Sequence, residues 1–232
     1  MDFTLEEREK ELDILLYKVT HDIKGPLNSI IGLSNVAMND VNDPKALEYI
    51  SHIKKNTEKL QEFVTDLLNV TKINIRQLEP AKVNFKEIVD DVLNSLQFLE
   101  GYKAIKFDLR IEQKSDFMSD PMMIYSVFQN IIENAIKYSD ESKDIPFLKI
   151  QINSTDLKTV IKFEDNGIGI EDNINEKVFE MFFRATNQSS GNGLGLYIVK
   201  KSIEKLGGSI NMLSKLGEGT TTIITFPKQL EK

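Results

Sequence analysis

Core-compatible residues recur through the first forty positions at Leu12, Leu16, Val19, Ile23, Pro26, Ile30, Leu33 and Ala37, in alternating steps of four and three. That is heptad spacing, which keeps one stripe of a helix facing a partner. It predicts a first helix over about residues 4–38, stopped by the turn-forming run 39–44. A second helix starts at Pro44 or Lys45, since proline is accepted in a first turn. Its core-facing positions are Ala46, Ile50, Ile53, Thr57, Leu60, Val64, Leu67 and Thr71, with the same alternation. Two long amphipathic helices joined by a short turn make an antiparallel hairpin. One hairpin cannot cover both seams, so the spacing predicts a homodimer in which two copies form a four-helix bundle.

Near residue 74 the periodicity fails, and Pro80 marks a linker over 76–80. The pattern then becomes mixed: a short strand at 82–85, a helix at 86–99 and an alternating strand at 105–112. A helix is expected at 120–138, strands near 147–153 and 160–165, and a polar, aperiodic segment at 171–192 that reads as mobile. A helix beginning near Gly193 ends at Gly207-Gly208, and strands at 209–215 and 220–226 close as a hairpin. Strands and helices without regular βαβ alternation predict an α+β sandwich behind the helical hairpin, not a doubly wound sheet.

Composition narrows the classes. A net charge of −7 and a pI near 5.1 argue against a nucleic-acid-binding surface. The absence of cysteine excludes a disulfide framework and any thiolate metal site, and suits a reducing cytoplasm. No apolar run approaches the roughly 18 residues of a membrane span, and the acidic N-terminus is no secretory signal. The expectation is a cytoplasmic chain without membrane contact, standing alone or as part of a longer, membrane-linked sensor.

Four local patterns carry candidate chemistry. At roughly 100° per residue, His21 lies far around the first helix from Val19 and Ile23, so its imidazole faces solvent. Asp22 beside it can orient the ring or accept its proton, and Pro26 removes the hydrogen bond to the Asp22 carbonyl, so a bend is expected there. On the helix at 120–138, Asn130, Asn134 and Lys137 share a stripe opposite the apolar face. An amide oxygen suits Mg²⁺ and an ammonium suits phosphate. Asp165-Asn166-Gly167-Ile168-Gly169 follows an apolar strand, where a carboxylate can accept a bond from an adenine amino group. Gly191-Asn192-Gly193-Leu194-Gly195 opens a helix, whose free N–H groups favour phosphate. Each has a bland reading as a solvated histidine, a polar helix face, a turn and an entry loop. Neither glycine run fits the dinucleotide or P-loop fingerprint.

Together these stretches resemble the sensor histidine kinases of two-component systems. HDIKGPL resembles the family's phosphoacceptor box, NIIENAIKYS the N box, EDNGIGI the G1 box, VFEMFFRA the F box and GNGLGLYIVK the G2 box, in the family order. The resemblance spans the chain, with 1–75 as the dimerisation and histidine phosphotransfer domain and 81–232 as the catalytic ATP-binding domain of gyrase and histidine-kinase type. It implies ATP and Mg²⁺ as cofactors and the receiver domain of a response regulator as partner. By motif position, His21 would be the phosphoacceptor and Asp22 its general base. Asn134 would bind Mg²⁺, with Asn130 and Lys137 near the phosphates. Tyr138, Asp165, Gly167 and Gly169 would form the adenine pocket, and Gly191, Gly193, Leu194 and Gly195 would line the phosphates. Arg184 would meet the γ-phosphate, with Phe182 and Phe183 docking the lid.

Two departures matter. Related gyrase-type ATPases carry a water-activating glutamate four residues before the magnesium-binding asparagine, where this chain has Asn130. Many histidine kinases of this type carry a threonine or asparagine four residues after the histidine to position water for dephosphorylating the regulator, where this chain has Gly25. The resemblance therefore implies a kinase with weak phosphatase activity. A non-catalytic scaffold that binds a regulator is the other class, opposed by the intact His21, Asn134 and Asp165. His52 lacks a following acid and proline and reads as a surface residue.

Overall fold

The computed structural model describes residues 5–171, 174, 177–185 and 192–227, with side chains in the first helix from Leu12 onward. The chain divides into two compact units, Met1–Arg76 and Gln77–Lys232. The first is a hairpin of α1 (Leu5–Asp40) and α2 (Pro44–Ile75). Asp43 caps α2 by accepting the Ala46 N–H at 2.9 Å, with Pro44 in the first turn. Pro26 lies inside α1, which continues through it.

In the hairpin interior, the buried α2 positions Thr57, Val64 and Thr71 belong to the stripe that the heptad spacing picks out, whereas on α1 the buried Thr20, Leu27 and Ser34 lie one position off it. Leu27, Val64 and Leu68 form the apolar centre of the hairpin, with Tyr17 packed against them. The hydroxyl residues Thr20, Ser34, Thr57 and Thr71 are buried beside them. Each hydroxyl donates to its own helix: Thr20 to Leu16 O, Ser34 to Ile30 O, Thr57 to Ile53 O and Thr71 to Leu68 O. Val19, Ile23, Ile30 and Leu33 on α1, with Ile53 and Leu60 on α2, are exposed in the single chain. The apolar arc spans two neighbouring stripes, and the hairpin covers one of them.

The second unit is the expected α+β sandwich. Its five-stranded sheet has the order β2-β4-β5-β7-β6, built from β2 (Lys106–Gln113), β4 (Phe147–Ser154), β5 (Lys158–Asp165), β6 (Ser209–Lys215) and β7 (Gly219–Pro227). β2 runs parallel to β4, and every other neighbouring pair is antiparallel. The helices are α3 (Phe85–Leu96), α4 (Pro121–Lys137) and α5 (Gly195–Lys205). The strand expected at 82–85 is a two-residue β1 (Ala81–Lys82), because Asn84 accepts the N–H groups of Lys86 and Glu87 and starts α3 at once. β1 pairs with β3 (Met118–Ser119), too short to show a period.

The core lies between sheet and helices. Ile124, Phe128 and Ile132 of α4 are fully buried, as are Ile150 of β4, Ile161 of β5 and Ile224 of β7. Phe128 meets Phe163 edge-on at 5.1 Å and stacks on Phe85 at 6.2 Å. Asp120 is 1% exposed yet satisfied: Oδ1 accepts the N–H groups of Met122 and Met123, and Oδ2 accepts that of Glu79. A cap and a clamp on the linker thus share one carboxylate. Phe128→Ala is expected to destabilise the second unit by about 3–5 kcal/mol, the range for truncating a core aromatic, read by urea denaturation. A loss under ~1 kcal/mol would show that α4 does not hold the core.

Candidate functional site

In the hairpin, the His21 side chain is 69% exposed, and its Nδ1 lies 3.2 Å from Asp22 Oδ1. A carboxylate at Nδ1 favours the tautomer with its hydrogen there, which leaves the Nε2 lone pair directed to solvent. Tyr17 stacks one turn back, 6.4 Å between ring centres. One turn on, a Cβ at Gly25 would meet nothing within 4 Å. Asn28, one turn further, accepts a hydrogen bond from Gln61 Nε2 of α2. His52 is equally exposed, with Glu48 Oε1 3.9 Å away, beyond hydrogen-bonding reach.

In the second unit, α4 buries its apolar face and so turns its amide stripe elsewhere. Asn130 Nδ2 donates to Ser126 O at 2.8 Å, which fixes Oδ1 outward. The half-buried side-chain amide of Asn134 has no hydrogen-bond partner among the described residues. Lys137 forms an ion pair with Glu133.

The start of α5 is bare. α2, α3 and α4 are each capped by a side chain, from Asp43, Asn84 and Asp120, whereas the N-cap position of α5 is Leu194 and no side chain caps it. Leu194 itself is fully buried. A Cβ on Gly195 would stand 2.9 Å from Asn130 Oδ1. Glycine there lets the unsatisfied N–H end of α5 lie directly against the amide stripe of α4. Such a terminus is a ready anion site.

Asp165 ends β5. Its Oδ1 accepts N–H groups from Gly167 at 2.9 Å and Thr220 at 3.2 Å, leaving Oδ2 as the acceptor open to a ligand. Burial pushes its carboxyl above the usual aspartate range, against the downward pull of those two bonds. The turn after it is pinned by close backbone approach. Ile168 N donates to Tyr138 O, and a Cβ on Gly167 would lie 2.4 Å from that oxygen. Gly169 has φ +64°, and its Cβ position falls 2.0 Å from Lys215 O. Tyr138, the C-terminal neighbour of α4, is thereby brought to Asp165, Gly167 and Gly169.

Thr220 and Gly219, which hold Asp165 from β7, escaped sequence reasoning; the Gly-Glu-Gly-Thr run at 217–220 was their signal. Asn166 also has a structural task, accepting Phe147 N–H and donating to Ile145 O at the head of β4. Of the F-box residues, Phe182 donates its N–H to Gly193 O at 3.0 Å, Phe183 is half-buried and Arg184 exposed. Gly191 lies outside the described residues, as does much of the polar stretch at 171–192.

Residues 119–230 match the family of histidine kinase-, DNA gyrase B- and HSP90-like ATPases, and residues 11–75 match the His Kinase A (phospho-acceptor) domain. The chain is 31% identical to cyanobacterial phytochrome B of Nostoc over 97% of its own length and 30% of that protein. It is 31% identical to the sensor protein kinase WalK of Staphylococcus aureus, over 94% of its length and 54% of that protein. It is 29% identical to the autoinducer 2 sensor kinase/phosphatase LuxQ of Vibrio vulnificus, over 96% of its length and 27% of that protein. The chain thus spans between about a quarter and about half of these relatives. Among solved structures, full-length ShkA in complex with AMPPNP shares the fold, with a TM-score of 0.75 at 20% identity, over 92% of this chain and 45% of that one. The catalytic domain of histidine kinase ThkA aligns with a TM-score of 0.55 at 27% identity, over 65% of this chain and 96% of that one. With both domains matched in order, the chain belongs to the sensor histidine kinases.

The raised Asp165 pKa makes a stability prediction. An acid whose folded pKa exceeds its unfolded one contributes stability below the unfolded pKa and loses it as pH rises through the folded pKa. Asp165→Asn keeps the Oδ1 acceptor and removes the buried charge. At neutral pH the variant should therefore unfold at equal or higher denaturant than the unaltered chain, with its relative advantage shrinking below the ordinary aspartate range. Denaturation curves at both pH values check this, and a clear destabilisation at neutral pH would refute it.

Proposed function

We propose that this chain is an ATP-dependent protein histidine kinase that labels His21 and passes the phosphoryl group to an aspartate of a response regulator's receiver domain. One observation carries the reading: a helix N-terminus without a side-chain cap lies against an amide stripe whose Asn134 has no hydrogen-bond partner among the described residues. Uncapped N–H groups suit phosphate, a spare amide oxygen suits Mg²⁺, and the spare Oδ2 of Asp165 suits an adenine amino group. Among the described residues no cluster of three or more His, Asp or Glu side chains forms a metal cage. An ion here would therefore take most of its ligands from phosphate and water.

When bound, MgATP supplies the transferable γ-phosphoryl group and a cation that offsets its charge. Nε2 of His21 forms the new N–P bond as the bond to the ADP oxygen breaks, and Asp22 draws the Nδ1 proton as the ring gains positive charge. Asn134 holds Mg²⁺, with Asn130, Lys137, Arg184 and the N–H groups of Gly193, Leu194 and Gly195 around the phosphates. Gly191 belongs to this set by its motif. Tyr138, Asp165, Gly167 and Gly169 shape the adenine end. Asn130 in place of a water-activating carboxylate supports transfer over hydrolysis. The exposed stripe of Val19, Ile23, Ile30, Leu33, Ile53 and Leu60 supports a homodimer. No helix among the described residues is long and apolar enough to cross a membrane, and a cytoplasmic place for the segment is part of this proposal.

His21→Ala should abolish labelling by γ-³²P-ATP while ATP binding, measured by calorimetry, persists. Label retained on that variant would move the acceptor elsewhere. Asn134→Ala should slow labelling by more than about tenfold, as loss of a charge-positioning group does. Its thermal melt should be unchanged; a large fall in Tm would mean that the residue is structural.

Gly25 supports weak phosphatase activity: it has no side chain to hold water, although one relative is named a kinase/phosphatase. The open space around it leaves room for a threonine. Gly25→Thr should gain dephosphorylation of a phosphorylated regulator in the presence of ADP and Mg²⁺. Rapid dephosphorylation by the unaltered chain would show that another group, Asn28 foremost, positions the water.

A further inference from the structure

The backbone of Ile168 is gripped from both sides. Its N–H donates to Tyr138 O at 3.0 Å, and its carbonyl accepts the Gly217 N–H at 2.7 Å. The turn at Gly167–Gly169 is thereby stitched to the end of α4 and to the β6–β7 turn. The Gly217 carbonyl in turn accepts from Lys143 Nζ at 2.8 Å. Lys143 belongs to the loop that follows Tyr138, so a closed circuit runs from Tyr138 through Ile168, Gly217 and Lys143 back to Tyr138. The loop that carries Lys143 is itself braced. Lys143 N–H donates to Asp140 O at 3.1 Å, and Asp140 Oδ1 accepts both the N–H and the hydroxyl of Ser142. Further along, Asn166 Nδ2 ties the loop down at Ile145 O, 3.0 Å away.

Lys143 closes this circuit through a side chain, whereas the other links join main chain to main chain. Asp140 Oδ2 lies 4.0 Å from its ammonium, beyond hydrogen-bonding reach, so the Gly217 carbonyl is the nearer acceptor. A bond from a charged donor is stronger than a neutral one. The tip of the β6–β7 turn has little packing of its own: Leu216 is exposed, and a Cβ at Gly217 would meet nothing within 4 Å. Its position matters, because the same turn carries the residues that press on the adenine end. Lys215 O stands against Gly169, Gly219 lies against the Asp165 main chain, and Thr220 N–H holds Asp165 Oδ1. We propose that Lys143 is a positioning residue: its ammonium draws the β6–β7 turn onto the Gly167–Gly169 turn and so fixes the shape of the pocket that receives the base. The proposal rests on the nucleotide reading above and deepens it, since Lys143 acts through the Gly217 carbonyl and not through the phosphates.

Two variants of the full chain separate the clamp from a general effect of charge. Lys143→Met keeps an aliphatic stem and loses the donor, whereas Lys143→Arg keeps a charged donor. Titration calorimetry in Mg²⁺ compares ATP with adenosine, which has the base and no phosphates. Lys143→Met should bind both at least about threefold more weakly, with the two losses within about twofold of each other. Lys143→Arg should bind both more tightly than Lys143→Met. In the nucleotide-free protein, amide hydrogen exchange at Ile168 and Gly217 should quicken by at least about threefold in Lys143→Met, while exchange in the core of α4 is unchanged. A loss confined to ATP would overturn the proposal, because the ammonium would then act on phosphate charge and not on the pocket. Unchanged exchange at Gly217 would overturn it too, since the turn would hold without the clamp. Faster exchange throughout the unit with a lowered Tm would make Lys143 a general structural residue, and the proposal would fall. If the unaltered chain binds neither ligand, the nucleotide reading itself falls and takes this proposal with it. If the unaltered chain binds both and Lys143→Met matches it, only the proposal falls.

Discussion

The rotation of α4 about its own axis sets the nucleotide unit. Fully buried Ile124, Phe128 and Ile132 fix that rotation against the sheet, and Phe128 meets Phe163 edge-on. With 3.6 residues per turn, Asn130, Asn134 and Lys137 then have one place to go. Both helix ends are tied: Asp120 caps the first turn from inside the protein, and the Tyr138 carbonyl takes the Ile168 N–H. A slip of one residue in α4 would turn the whole stripe by roughly 100° and strip the bare end of α5 of its amide neighbour. Packing and site are thus one constraint seen from two faces.

The same logic explains the glycines after β5. The N–H groups of Gly167 and Thr220 converge on one carboxylate, Asp165, while the Tyr138 carbonyl lies against Gly167 and Gly219 lies against the Asp165 main chain. Its Oδ1 is spent on protein N–H groups, and burial opposes its charge. An acceptor oriented by two fixed donors needs little rearrangement when a ligand arrives, and this offsets part of the desolvation it carries.

Much of this was legible from residue order. The heptad steps gave two helices, the Asn stripe gave α4 its polar face, and the glycine runs at 167–169 and 193–195 marked close backbone approach. Other features leave weak traces. Thr20 and Ser34 count as polar in a hydrophobic pattern, so the hairpin interior they line was assigned to the neighbouring stripe. β1 and β3 hold two residues each, below any period. The parallel pairing of β2 with β4 leaves the alternation of each strand unchanged, so alternation cannot reveal direction. Positive φ is signposted by glycine, and at Phe182 there is no such sign.

The hydroxyls inside the hairpin carry a mechanical consequence. Thr20, Ser34, Thr57 and Thr71 satisfy themselves on their own helices, so none of these four bonds crosses between α1 and α2. Small, self-satisfied side chains add no directional bond across the seam, so what resists a twist or slide of one rod against the other is the packing of Leu27, Val64, Leu68 and Tyr17. Pairs that do reach across, Asn28 with Gln61 and Asp13 with Asn74, sit at the exposed rim. There each is worth only about 0.5–1.5 kcal/mol net, and water stands ready to replace either partner. Torque applied to one helix therefore meets non-directional apolar packing at the centre and a few weak detents at the edge.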